Sequence, residues 1–137
     1  MFATLLLAID GSKGSQLAVQ AASALGAATG AEVVVLHVVE SPREGADQPD
    51  GELPAGVVEL IDDVVAQLAR QLVSASHTIE RGPAGQIGRV IVDVAHDLSA
   101  DTIVIGSRGL TEAKALLLGS VAHDVIQQFH GCVLVAR

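Results

Sequence analysis

Aromatic side chains are almost absent from this sequence of 137 residues, which contains no Trp, no Tyr and two Phe. Half of the residues are nonetheless hydrophobic, so the core has to be built from Val, Leu, Ile and Ala. A chain of this length fits one domain that buries about two-thirds of the surface exposed by the unfolded chain. We therefore expect a single domain over residues 1–137 with an aliphatic core.

Cysteine is equally scarce, and this limits the disulfide and metal chemistry of the chain. Cys132 is the only cysteine, which excludes an internal disulfide and most cysteine-based metal sites. It precedes an apolar strand-like segment, a position typical of a small buried thiol rather than a reactive one. The five histidines show no metal-ligand spacing, and no carboxylate pair is clearly dedicated to a cation. We expect no resident metal.

Basic residues and long apolar runs are also lacking. Eight Lys and Arg stand against 16 Asp and Glu, a net charge of -8, which argues against nucleic acid as a partner. No stretch approaches the roughly 18 consecutive apolar residues of a membrane span. The N-terminal MFATLLLAID has no basic segment before its apolar run, so it favours a strand over a signal peptide. We expect a soluble, cytoplasmic protein.

What the sequence does contain is an alternation of strand and helix patterns. The predicted strands are Thr4–Ile9, Glu32–Val38, the more polar His77–Glu80, Thr102–Ile105 and Cys132–Val135. Most of them are continuously apolar, as in a parallel sheet that is covered on both faces. The alternation predicts an open parallel α/β fold with right-handed crossovers.

Helical spacing of apolar residues separates these strands. The first helix covers Ser15–Thr29 and should end at Gly30, a residue that closes helices in the left-handed conformation. The other predicted apolar faces are Val58, Ile61, Val65, Leu68 and Leu72; then Ile87, Ile91, Val94 and Leu98; and finally Val121, Val125, Ile126 and Phe129. The segment Ser41–Gly56, rich in Pro and Gly, interrupts the pattern and predicts a long loop, either a lid or a tolerated insertion.

Ligands of open parallel sheets bind outside the carboxyl ends of the strands. Asp10 follows strand one, where its carboxylate can accept from a ribose hydroxyl or an adenine amine, or can cap the next helix together with Ser12. Val38 ends strand two, and its backbone can contact an adenine edge. His37, beside it, fits a core imidazole better than a base.

The stretch GSRGLTEAKALLLGSVA, residues 106–122, follows strand four. Gly106 and Gly109 can adopt positive φ and let a ligand approach the main chain, and Ser120 suits the N-cap of the last helix. The N–H groups at the two ends of this segment can hold a polyphosphate. The alternative is a tight turn and a helix cap without a ligand. Walker and GxGxxG loops are absent.

With these residues, the chain resembles the universal stress protein family over essentially its whole length. AIDGS, LHV, DTIVIGSRG and the terminal CVLVAR look like blocks of that family. Its nucleotide-binding signature, Gly-x2-Gly-x9-Gly-Ser/Thr, is met by Gly106, Gly109, Gly119 and Ser120. The resemblance therefore points to the ATP-binding members of the family.

The resemblance implies a Rossmann-like sheet of order 3-2-1-4-5, as in the adenine nucleotide alpha hydrolase-like fold, and a homodimer through Cys132–Val135. By similarity, the nucleotide-binding residues are Ala8, Ile9, Asp10, Val38, Gly106, Ser107, Arg108, Gly109, Gly119, Ser120, Val121 and Ala122. Asp10 would bind ribose or adenine, Val38 would contact adenine, and the helix start at Ser120 would hold phosphate. Ala122 departs from members that carry a hydroxyl there.

The function that follows is ATP binding by a stress-response sensor or regulatory module, with Mg²⁺ or Mn²⁺ accompanying the triphosphate. Cyclic AMP is an alternative ligand, because a single cyclic phosphate needs fewer donors and tolerates Ala122. An enzymatic alternative is slow ATP hydrolysis or autophosphorylation through Ser107 or Ser120. An interaction protein with purely structural glycines is a further alternative.

Overall fold

The structure is a computed structural model that describes residues 2–41, 52–108 and 118–137. Five strands alternate with four helices in these ranges. In chain order they are β1 (Thr4–Ala8), α1 (Lys13–Thr29), β2 (Glu32–Glu40), α2 (Val57–Arg70), β3 (Ala75–Gly82), α3 (Ile87–Asp97), β4 (Thr102–Gly106), α4 (Ser120–Gln128) and β5 (Cys132–Ala136).

The strands form one parallel sheet in the order β3-β2-β1-β4-β5, which confirms the predicted fold. β1 lies at the centre, with Leu5 opposite Val33 of β2 and Thr102 of β4. The strand order reverses between β1 and β4, because the chain first builds the β2 side and then crosses to the other side. The carboxyl ends of β1, β2 and β4 therefore meet at the point where such sheets bind ligands.

The sheet is covered on both faces, and β1 shows this most clearly. Leu5 and Leu7 pack toward α1 and α2, whereas Leu6 packs toward α3 and α4. All three leucines are fully buried. Complete burial of a leucine stabilises the fold by about 1.5–3 kcal/mol, which explains the absence of polar residues from this segment.

The apolar faces of two helices are rotated relative to the sequence prediction. In α2 the buried residues are Val57, Ile61, Val64 and Leu68. Val58 is 50% exposed, because α2 presents the neighbouring positions to the sheet. In α4, Ile126 is 45% exposed while Val125 is buried. Where apolar residues are adjacent, helical spacing alone does not determine which of them faces the core.

Three helices end through residues in the left-handed conformation. Gly30 closes α1 with φ of 75°, as predicted. Leu72 (φ 59°) and Ser99 (φ 53°) follow α2 and α3, where glycine is the usual residue. Leu72 was expected on the buried face of its helix, yet it is 94% exposed, because the chain has already left the helix. Leu98, also expected in the core, caps α3 and is 40% exposed.

Both edge strands differ in detail from the prediction. β3 is eight residues long rather than four, and its largely exposed pattern fits an edge position. Cys132, which we expected to be a buried thiol, is exposed at the start of β5. The reason is that β5 lies at the opposite edge of the sheet, where no further strand covers it in the described chain.

Most of the predicted loop Ser41–Gly56 lies outside the described residues, so its interpretation as a lid stays a prediction. Its described end is attached to β3, since the guanidinium of Arg81 donates to the carbonyl of Glu52 at 2.8 Å. Among the described residues, no helix combines the length and the apolar character needed to cross a bilayer.

Asp101 joins the beginnings of three strands at the amino edge of the sheet. Its carboxylate accepts from the N–H groups of Ala3 (2.7 Å) and Thr4 (3.3 Å) and from the hydroxyl of Thr102 (2.9 Å). Its main-chain carbonyl accepts from Cys132, at the start of β5. Burial alone would raise the pKa of Asp101, but these hydrogen bonds hold the pKa below its ordinary value of 3.8.

Replacing Asp101 by Asn should lower the free energy of unfolding at pH 7 by about 1–2 kcal/mol, because the amide accepts less strongly than the carboxylate. A lowered pKa stabilises the fold above pH 3.8, and this contribution is lost as the pH falls through the folded-state value. Urea unfolding followed by circular dichroism should therefore show a smaller difference near pH 3. Asp63→Asn, at an exposed site of α2, is the control. If the free energies of unfolding of Asp101→Asn and the unchanged protein differ by the same amount at both pH values, this account is wrong.

Replacing Leu72 by Gly should raise the free energy of unfolding by about 1 kcal/mol, since glycine adopts positive φ without the steric cost that leucine bears. Leu72→Ala also removes the exposed side chain but retains the strain, so it should give no such gain. Urea midpoints of the two variants test this. Equal midpoints would show that the left-handed turn is not the source of the effect.

Candidate functional site

A cavity of about 420 Å³ opens at the carboxyl edge of the sheet, between the ends of β1, β2 and β4 and the starts of α1, α3 and α4. The predicted binding residues that line it are Ala8, Ile9, Asp10, Val38, Gly106, Ser107, Arg108, Gly119, Ser120, Val121 and Ala122. Gly109, also predicted, lies outside the described residues. The structure thus brings together residues that are separated by more than 100 positions in the sequence.

The turn between β1 and α1 is held by a short hydrogen-bond network. Ser12 is the N-cap of α1, and its Oγ accepts from the N–H of Ser15 at 3.1 Å. The Asp10 carboxylate accepts from the N–H of Ser12 at 2.9 Å, and the Asp10 N–H donates to Ser15 Oγ at 3.1 Å. Gly11, with φ of 84°, allows the reversal of the chain. Of the two roles considered for Asp10, the structural one is present, and contact with a ligand stays a prediction.

Gly106 occupies its position for a different reason from the one predicted. It is the last residue of β4, and its φ is not positive. Instead, a Cβ atom at Gly106 would overlap the backbone of Gly14 in α1, at 2.6 Å from the carbonyl oxygen. Gly14 is equally restricted, since its Cβ would lie 2.6 Å from the carbonyl oxygen of Arg108. The first turn of α1 therefore packs directly on the end of β4.

Ser107 connects the cavity to the edge strand through its main chain. Its N–H donates to the carbonyl of Ala136 in β5 at 2.8 Å, and its carbonyl accepts from the N–H of Gly119 at 2.5 Å. The residue is buried. These two bonds fix the end of β4 against both β5 and the start of α4.

The N-cap of α4 is Gly119 rather than Ser120, which is the first helical residue. Gly119 has extended backbone angles (φ -64°, ψ 155°) and offers no side-chain oxygen to the first turn. Ser120, Val121 and Ala122 are the first three helical residues, whose N–H groups have no acceptor within the helix. This end of α4 lines the cavity and carries the partial positive charge of a helix N-terminus.

Part of the cavity lining is apolar. Leu36, Val38, Ile91 and Ile105 line it together with Ile9, whose carbonyl is 2.8 Å from Nδ1 of His37. Because a carbonyl can only accept, that nitrogen carries the proton. The half-buried imidazole is thus satisfied by the main chain, in agreement with its predicted role as a core residue.

Sequence reasoning missed several residues of this site. Gly85, from the segment between β3 and α3, lines the cavity, and so do Gly88 of α3 and Asp124 of α4. A Cβ at Gly88 would lie 2.6 Å from the Cβ of Asp124, so α3 and α4 meet here at close range. The Gly-Pro-Ala-Gly run after the third strand was the available signal, since it follows a carboxyl end at the same edge of the sheet.

The charged residues around the cavity are mainly acidic. Asp10, Glu40 and Asp124 line it, and Arg108 is the one cation among its described lining residues. In the described ranges, no three His, Cys, Asp or Glu side chains are grouped as a metal site would require. A highly charged anion in this cavity would therefore depend on backbone N–H groups, on Arg108 and on its own counterions.

The family model that matches this chain is that of the universal stress protein family, over residues 1–137. The chain belongs to the universal stress protein family. Universal stress protein YxiE of Bacillus subtilis is 31% identical, and the match covers 100% of both chains. The solved structure of MJ0577, a universal stress protein of Methanocaldococcus jannaschii, has a TM-score of 0.86 and 26% identity, covering 99% of this chain and 96% of the other.

Two more solved structures share the fold at lower identity. A universal stress protein in complex with cAMP has a TM-score of 0.73 and 22% identity, covering 98% of this chain and 95% of the other. The universal stress protein from Archaeoglobus fulgidus in complex with dAMP has a TM-score of 0.75 and 21% identity, covering 100% and 98%. At these identities the likeness concerns the fold, and the nucleotides belong to those two proteins.

Replacing Gly14 by Ala tests the packing of α1 on β4. Alanine normally stabilises a helix relative to glycine by up to about 1 kcal/mol. Here the added methyl group would lie 2.6 Å from the Arg108 carbonyl oxygen, so we expect a loss of about 1–3 kcal/mol in the free energy of unfolding. Gln16→Ala, at an exposed position of α1, should be neutral or stabilising. A Gly14→Ala protein as stable as the unchanged one would contradict the close contact.

Proposed function

We propose that this cavity binds an adenine nucleotide, with ATP as the first candidate, and that the protein acts as a sensor or regulatory binding module in the stress response. The observation that carries the proposal is that apolar side chains, the N-terminus of α4 and the main chain at the end of β4 line the same cavity. A nucleotide matches this lining, because it carries a weakly polar base at one end and a charged phosphate at the other.

The apolar part of the cavity lining suits the base. Adenine is a flat, weakly polar ring, and burial of its faces against Val38, Ile91 and Ile105 would contribute hydrophobic free energy. Val38 and Asp10 lie at the ends of adjacent strands. The main chain of Val38 would recognise the adenine edge, and the Asp10 carboxylate would accept from ribose or from the adenine amine.

The α4 end of the cavity suits phosphate. Ser120, Val121 and Ala122 form the first turn of α4, and anions bind readily at the N-terminus of a helix. Gly106, Ser107 and Arg108 line the same cavity, and the carbonyl of Ser107 accepts from the N–H of Gly119, the N-cap of α4. Gly109 completes the signature, and its proposed contact with phosphate rests on the sequence.

The size of the cavity and the related structures support this class of ligand. A volume of about 420 Å³ lies within the range of roughly 300–1,000 Å³ that is typical of small-molecule sites. Two proteins of the same fold hold cAMP and dAMP. Mg²⁺ or Mn²⁺ would enter with a triphosphate and be held mainly by its oxygens, since the described residues form no metal cluster.

Cyclic AMP is the second candidate. Ala122, the third residue of α4, contributes an N–H group but no hydroxyl, so it provides one donor fewer than Ser or Thr would. A single cyclic phosphate carries less charge than a triphosphate, which suits a cavity lined by Asp10, Glu40 and Asp124. Slow ATP hydrolysis or autophosphorylation through Ser107 or Ser120 is the enzymatic alternative, and steady release of phosphate would support it.

A homodimer in the cytoplasm completes the proposal. β5 is an edge strand with half-buried apolar residues over Val133–Ala136, a type of edge that proteins commonly cover. Pairing of two copies through Cys132–Val135 would cover it symmetrically. A cytoplasmic location agrees with a single, exposed cysteine and no internal disulfide.

The first experiment is to denature the purified protein, identify any nucleotide released, and titrate refolded protein with ATP and cyclic AMP by calorimetry, with and without Mg²⁺. Ser120→Pro should then weaken ATP binding by at least about tenfold, because it removes both the main-chain N–H and the side-chain hydroxyl at the start of α4. Proline is favoured at the first position of a helix, so the fold should persist.

Adenosine and a second proline variant are the controls. Ser120→Pro should leave adenosine binding unchanged, since adenosine lacks phosphate. Lys13→Pro places proline at the first position of α1, outside the cavity lining, and should leave ATP binding nearly unchanged. If the unchanged protein binds no adenine nucleotide, the proposed function is wrong. Equal losses for ATP and adenosine would instead show that α4 does not hold the phosphates.

A further inference from the structure

We infer that Ser12 is a positioning residue for the nucleotide site, because its hydroxyl ties the turn that carries Asp10 to the end of β4. The inference rests on the proposed function, in which the first of these segments contacts ribose or adenine and the second contacts phosphate. It assigns to the serine of the AIDGS block a role beyond that of a helix cap.

The hydroxyl of Ser12 has one proton and can take part in few hydrogen bonds. Its oxygen accepts from the N–H of Ser15 at 3.1 Å, and its proton is donated to the carbonyl of Arg108 at 3.4 Å. The residue is 8% exposed. Since the single donor is directed to Arg108, Ser12 acts on a ligand through that main-chain segment and not as a phosphate donor itself.

A second contact places the same carbonyl against α1. The carbonyl oxygen of Arg108 lies so close to Gly14 that a Cβ there would be 2.6 Å away. One main-chain oxygen thus receives both a hydrogen bond from the N-cap and close packing from the first helical turn. The start of α1 thus positions Arg108, two residues after β4, although Gly14 and Arg108 are 94 positions apart in the sequence.

These contacts fix the distance between the Asp10 turn, which is proposed to contact ribose or adenine, and the Arg108 segment, which is proposed to contact phosphate. Ser15 and Ser12 hold Asp10, and Ser12 holds Arg108, so the ribose side and the phosphate side are joined through one hydroxyl. The length of 3.4 Å exceeds the roughly 2.8 Å of an optimal O–H···O bond. A ligand that contacts both segments would shorten this bond, so its strength contributes to nucleotide affinity.

Three substitutions separate this role from helix capping. Thr retains a hydroxyl that both accepts and donates, Ala removes the cap and the donor, and Gly removes the donor while remaining nearly as good an N-cap as Ser. We expect Ser12→Thr to bind ATP within about twofold of the unchanged protein. Ser12→Ala and Ser12→Gly should both bind about fivefold more weakly, as expected for one neutral hydrogen bond.

Titration calorimetry with ATP and urea unfolding of the same preparations decide the question. If Ser12 is a positioning residue, the affinity for ATP depends on its hydroxyl. Ser12→Gly should then unfold with nearly the same free energy as the unchanged protein and yet bind ATP more weakly. If affinity instead follows stability, with Ser12→Gly binding like the unchanged protein, Ser12 is only a cap and the inference is wrong. Absence of binding by the unchanged protein would overturn the proposed function itself, and with it this inference.

Discussion

The contact between two glycines determines the geometry of this site. Gly14 and Gly106 allow the first turn of α1 to touch the end of β4, and neither position has room for a Cβ atom. This approach brings the Asp10 turn next to the segment Gly106–Arg108, so that elements distant in the sequence form adjacent walls. With larger residues at either position, α1 would move away from the sheet, and the cavity would widen between its two walls.

The rest of the site follows from the architecture of a parallel sheet. All strands of the sheet end at the same edge, and the crossover helices that line the cavity begin there. Because helix N-termini carry a partial positive charge, the backbone at this edge favours anions, although the chain as a whole has a net charge of -8. Local backbone dipoles and the overall charge therefore act in opposite directions. This opposition favours a small or charge-neutralised anion over an extended polyanion such as nucleic acid.

Much of the fold could be predicted from the sequence, because continuous apolar runs mark strands that are buried on both faces. The buried faces of the helices were harder to predict. Val57 and Val58 are adjacent and equally apolar, and only their packing against the sheet decides that the first is buried. Asp10 and Val38 were predicted from strand ends, and Gly106, Gly109, Gly119 and Ser120 from a glycine signature, whereas Gly14 and Gly88 depend on close tertiary contacts. Such contacts leave no periodic pattern in the sequence. At Gly106 the predicted positive φ was wrong, since the structure requires space for the backbone of Gly14 there, and its contact with a nucleotide stays a prediction.

Ser107 connects the edge strand β5 to the cavity through main-chain hydrogen bonds. Its N–H is bonded to the last residue of β5, and its carbonyl is bonded to the N-cap of α4. A single residue therefore belongs to both the strand ladder and the helix start. A strand that pairs with β5 and shifts its end by a fraction of an ångström would turn the main chain of Ser107, and with it the acceptor of Gly119. Pairing of two copies at β5, as proposed above, would thus be connected to the cavity through two main-chain hydrogen bonds of Ser107.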